Sequence, residues 1–106
     1  MDRLVRTLVV ADGVTEIAVT HHELGWWPEQ LGNHQISASG LDGGTYAVSV
    51  RYPGQDALIS LVSGLADGAP TVVGSGIAAA FKVTLSDLGE AAEPRIVVTG
   101  WPRRNG

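Results

Sequence analysis

The sequence predicts an all-β antiparallel sandwich of seven to eight short strands, immunoglobulin-like or jelly-roll in style, and three observations carry that prediction. The first is a period of two: in 45–52 Tyr46, Val48, Val50 and Tyr52 fall on one face and Thr45, Ala47, Ser49 and Arg51 on the other. In 77–86 Ile77, Ala79, Phe81, Val83 and Leu85 alternate in the same way with Ala78, Ala80, Lys82, Thr84 and Ser86. Alternation of this kind marks a half-buried strand, not a helix. The second is punctuation: 14 glycines and 5 prolines divide the chain at close intervals. The third is size, because 106 residues with a 44% hydrophobic share supply one core and no more.

Taken in order, residues 3–10 and 14–20 flank Asp12-Gly13 and read as an N-terminal hairpin, since Asp-Gly tolerates the positive φ that hairpin turns need. Segments 34–39, 45–52, 57–62, 71–73, 77–86 and 95–101 complete the set. Two further Asp-Gly pairs, Asp42-Gly43 and Asp67-Gly68, and the Pro53-Gly54 pair supply turns between them. Residues 23–33 (ELGWWPEQLGN) form the longest irregular connection, and only 86–93 (SDLGEAAE) offers a helical turn, with Ser86 as its cap. The expected core includes Val48, Val50, Ile59, Phe81, Val83, Leu85, Ile96 and Val98, and both 4–10 and 97–101 are expected near sheet edges. The domain spans 1–102, and 103–106 form a polar C-terminal tail.

Composition excludes whole classes of function. Charged residues make up 17% of the chain, too few for a disordered tail. A net charge of -4 and a pI of about 5.1 oppose nucleic-acid binding by bulk electrostatics. No stretch approaches the roughly 18 apolar residues of a membrane helix, and the opening MDRLVRTLVVADG does not read as a signal peptide. With no cysteine there is no disulfide framework, thiol nucleophile or thiolate metal site.

The local motifs favour structure over chemistry. His21, His22 and Glu23 are adjacent, but on an extended backbone the two imidazoles point to opposite faces, which leaves His21, Glu23 and the distant His34 as the only set that could converge on a metal. Gly74-Ser75-Gly76 has the look of a phosphate cradle, yet an alternating strand follows it where a helix would be needed. No nucleophile elbow, zinc-protease motif or P-loop occurs, and scattered hydroxyls, acids and three histidines define no catalytic set. The chain therefore reads as a non-enzyme with no cofactor and no metal.

Trp26-Trp27-Pro28 is the most informative local feature. On an extended backbone the indoles diverge: one closes an end of the core, and the other needs a partner or stays exposed. Both packing over the sandwich end is the plain alternative. Otherwise an indole anchors a protein contact or offers a stacking face to a sugar. Trp26, Trp27 and Trp101 are accordingly the candidate interface residues.

The runs GTYAVSVRYPGQDALISLVSG and GIAAAFKVTLSDLGEAAEPRIVVTGW resemble small virion proteins of tailed bacteriophages. The resemblance covers 43–101 and lies in strand style, short Gly-rich turns and a Lys-containing strand leading to a terminal Gly-Trp. It implies an immunoglobulin-like or jelly-roll subunit of the capsid-decoration, head-fibre or tail-associated type. Such a subunit would be made in the host cytoplasm and would reside in the virion. Its partners would be other capsid or tail subunits and copies of itself, with no nucleic acid and no membrane. The competing expectation is a carbohydrate- or surface-binding module that uses the tryptophans as platforms.

Overall fold

The computed structural model describes residues 3–52, 54–73 and 79–101. Eight strands fill it: β1 (Leu4–Val9), β2 (Glu16–Val19), β3 (His34–Ser39), β4 (Thr45–Arg51), β5 (Leu58–Ala66), β6 (Pro70–Val73), β7 (Ala80–Ser86) and β8 (Arg95–Gly100). One sheet has the order β1-β8-β3-β6 and the other β2-β7-β4-β5, with every pairing antiparallel. The all-β sandwich is thus as expected. Strand β1 lies beside β8, β2 beside β7, β3 beside β6 and β4 beside β5, so the chain is one long hairpin rolled into two sheets. That is the jelly roll, not the immunoglobulin arrangement.

Alternation along the strands builds the core between the sheets. Ile36, Ala38, Ile96 and Val98 from one sheet meet Tyr46, Val48, Val50, Phe81 and Val83 from the other. Every expected core residue is buried except Ile59, which is 41% exposed. Ile59 stands opposite Val50 on β5, an edge strand whose counterpart on the other sheet, β6, has only four residues. Its burial fails through lack of cover, not through register. Tyr46 crosses the sandwich, and its hydroxyl donates to the carbonyls of Ala69 and Ile36. The radius of gyration, 13.4 Å, matches the ~13 Å of a single domain this long.

Several local expectations are corrected. Strands β1 and β2 lie in different sheets, so the N-terminal hairpin does not form. Asp12-Gly13, Asp42-Gly43 and Asp67-Gly68 all carry the chain from one sheet to the other, the last two after β3 and β5. At Asp42 and Gly43, φ values of 51° and 88° give the turn chemistry of a hairpin, but the strands leaving the turn diverge. Among the described connections, 52–57 does join paired neighbours, β4 and β5. Strand β8 is internal, between β1 and β3, so only the 4–10 half of the edge expectation holds. Residues 86–93 form no helical turn; the helix is α1 (His21–Leu24), followed by a 3₁₀ turn at Pro28–Gln30. Gly74-Ser75-Gly76, Ile77, Ala78, Pro53 and the tail from 102 onward fall outside the described residues.

Candidate functional site

Alternating strand direction sorts the connections to the two ends of the sandwich. The three Asp-Gly turns and the β7–β8 connection gather at one end, and side chains tie them together. Asp67 Oδ2 accepts from the Leu41 N–H at 2.9 Å, and Asp42 Oδ2 accepts from the Ala91 N–H at 3.0 Å. The open cleft of about 630 Å³ at this end lies between residues 9–14 and 88–95. It is lined by aliphatic side chains such as Val9, Val14 and Leu88 together with Asp12, Glu90, Glu93 and Arg95, and it has no aromatic platform. The β2–β3 and β4–β5 connections and the C-terminal end of β8 gather at the opposite end, and all three tryptophans lie there.

The aromatic end is built by a short capped helix. Thr20 is the N-cap of α1: its hydroxyl oxygen accepts from the His22 N–H at 3.3 Å, and Glu23 Oε2 accepts from the Thr20 N–H at 2.8 Å and from the Thr20 hydroxyl. This is a capping box, and it holds the Glu23 carboxyl below its ordinary pKa. Gly25, at φ 87°, ends the helix in the left-handed conformation that glycine adopts without strain. Leu24 is buried, and its carbonyl accepts from Arg6 Nε at 3.0 Å, which fastens the helix to β1.

The two adjacent indoles have separate roles. Trp26 packs against the core, and its Nε1–H donates to Nε2 of His34 at 3.1 Å. His34 is buried, with its ring 5.2 Å from that of Phe81, and burial pushes its pKa down to about 4. The ring is therefore neutral at pH 7 and accepts through Nε2, so its own proton sits on Nδ1. Trp27 turns outward, is 47% exposed and stacks on His21 with ring centroids 3.6 Å apart and planes 14° from parallel. His21 in turn lies 4.0 Å from the ring of His22. Trp101 is half-buried, and its backbone bonds with Gly32 and Asn33 pin the end of β8 to the β2–β3 connection.

Thr20, His21, His22, Trp27, Arg51, Gly54 and Ala79 line an open cleft of about 380 Å³. It offers an indole, imidazoles and a guanidinium, a set that suits contact with a polar surface or a ring. His21 and His22 share a helical turn, so the extended backbone assumed for them does not hold. The three candidate metal ligands do not come together, however: Glu23 closes the capping box and His34 is buried under Trp26. No group of three ligating side chains occurs among the described residues. The buried His34 and the capped turn went unseen in the sequence. Thr20-x-x-Glu23 was the legible signal for the turn.

Hydrophobic surface is not confined to this end. Val5, Val9, Leu58, Leu61 and Val72 on the edge strands are all exposed. In comparisons with known proteins, no family model and no curated protein matches the chain.

Proposed function

We propose that the chain is a structural subunit of a phage virion, a capsid-decorating or tail-associated protein that works through protein–protein contacts. The observation that carries this reading is Trp27: a capped helical turn presents a large aromatic side chain, 47% exposed, on the end where Trp26 and Trp101 also lie. Exposed aromatics held on rigid elements are the typical anchors of protein interfaces. The resemblance of 43–101 to tailed-phage virion proteins supplies the setting, and the jelly roll agrees with it, although that fold serves many functions. At least one indole becomes fully buried on assembly. The test is light scattering across a concentration series with and without Trp27→Ala. Loss of assembly in the variant supports the reading, and identical behaviour of the two chains contradicts it.

A second reading has its own observation, the flat Trp27–His21 stack beside Arg51 in an open cleft. It makes the same end a glycan platform. Fluorescence of the indoles separates the two: a shift on titration with soluble glycans, without self-association, favours the platform.

A further inference from the structure

We infer that β1 is a pairing edge for a second copy of this chain, across a two-fold axis that sets Thr7 against Thr7. An open sheet has two edges, and proteins guard them against pairing with short strands, proline, bulges or charge. Three of the four edges here carry such a guard. Strand β2 has four residues and ends its outer face with Glu16; β6 has four and begins with Pro70. Strand β5 is long but irregular: its register against β4 shifts twice, and Gly64 stands at φ 69°. Strand β1 is neither short nor bulged and holds no proline, and its one charge, Arg6, is turned away from the outer face and held by the Leu24 carbonyl. It runs six residues in unbroken register against β8, from Leu4 opposite Gly100 to Val9 opposite Arg95, and its other edge pairs with no described strand.

The residues of β1 select the partner. Those opposite the buried Ile96, Val98 and Gly100 face inward, which leaves Val5, Thr7 and Val9 on the outer face. Val5 is 52% and Val9 77% exposed. An antiparallel copy centred on Thr7 sets Val5 of each chain against Val9 of the other and Thr7 against itself, apolar with apolar and hydroxyl with hydroxyl. Centring on Arg6 instead would oppose two guanidiniums. The Thr7 centre also lays Arg3 of each copy beside the turn at Ala11 and Asp12 of the other. Arg3 and Asp12 are both exposed, and neither belongs to the ion pair found among the described residues, Lys82–Glu16. The outer face of this sheet does not oppose the approach. Its positions on β8, β3 and β6 are Arg95, Val97, Thr99, Gln35, Ser37, Ser39, Pro70 and Val72, with a single charge among them. The product is one continuous eight-stranded sheet through two subunits.

None of the three tryptophans lies on β1, so variants of the indoles and of this edge can fail independently. The experiment uses sedimentation of the full chain over a concentration series and of the Val5→Lys/Val9→Lys variant, which adds two like charges per copy at exposed positions. A dimer for the parent and a monomer with unchanged circular dichroism for the variant are expected. A parent that stays monomeric, or a variant that dimerises equally well, overturns the inference. The register has its own readout, because the chain has no cysteine. Opposed strand residues stand about 4.5–5.5 Å apart at Cα, within disulfide reach. Thr7→Cys should therefore oxidise to a covalent dimer faster than Val5→Cys or Val9→Cys. Equal or reversed rates overturn the Thr7 axis.

Discussion

The indole N–H of Trp26 donates to the Nε2 atom of the buried His34 at 3.1 Å, and this bond ties the irregular 23–33 connection to the hydrophobic core. It also makes the fold sensitive to acid. Protonating Nε2 would destroy its acceptor and bury a charge beside Phe81. The folded pKa of about 4 lies below the ordinary 6.5, so the unfolded chain binds more protons between these values. Stability is therefore complete above pH 6.5 and is lost as pH falls towards 4. The gap corresponds to about 3 kcal/mol. Urea melts from pH 7 to pH 4 should show that decline, and His34→Gln should flatten it. Glu23 acts with the same sign: its contribution is complete above its ordinary value of 4.5 and is lost only as pH falls below it.

Phe81→Ala should destabilise by about 3–5 kcal/mol, because it empties the space of a fully buried ring near the start of β7. Lys82 faces outward and pairs with Glu16 at 3.0 Å across β2 and β7, with both side chains partly in solvent. Lys82→Ala should cost no more than about 1 kcal/mol. Urea melts in which Lys82 is the costlier position would contradict the register.

Removing the cap of α1 tests how the aromatic end is presented. Thr20→Ala deletes the hydroxyl that accepts from His22 and donates to Glu23. Stability should fall by about 1 kcal/mol. The Trp27–His21 stack should loosen too, seen as a change in near-ultraviolet circular dichroism that Trp27→Ala abolishes. An unchanged signal in Thr20→Ala would separate the cap from the stack.

Trp27 itself should matter little to the isolated fold. Its indole is 47% exposed and contacts His21, whereas Trp26 packs on the core. Trp27→Ala should leave the thermal midpoint nearly unchanged, while Trp26→Ala should lower it markedly, because it leaves a buried His34 acceptor without its donor. Calorimetry of the two variants checks the order, and a reversed order would exchange the roles assigned to the indoles.

The strands were legible because each central one obeys a period of two over a buried face, as at Tyr46, Val48 and Val50 or Phe81, Val83 and Leu85. Their pairing was not. Asp42-Gly43 has the same backbone preferences in a hairpin and in a corner between sheets, and only long-range packing decides which forms. Ile59 shows the same limit, since its inward side is set by register but its burial depends on the length of a strand in the other sheet. At the candidate site the three indoles could be located along the chain but not assigned. Trp26 and Trp27 diverge, as an extended backbone would have them, yet the buried partner of one is His34, a polar residue that an alternating strand does not announce. Thr20-x-x-Glu23 has the spacing of a capping box, but with 14–20 read as a strand and 23–33 as an irregular connection the turn between them was missed.

The central claim is that this chain is a working part of a virion. Mass spectrometry of purified particles from the source tests it most directly. The account predicts the chain in intact particles at a copy number above one, co-purifying with capsid or tail subunits through density-gradient separation. Its absence from washed particles, with the protein recovered only in the soluble fraction, would contradict the account.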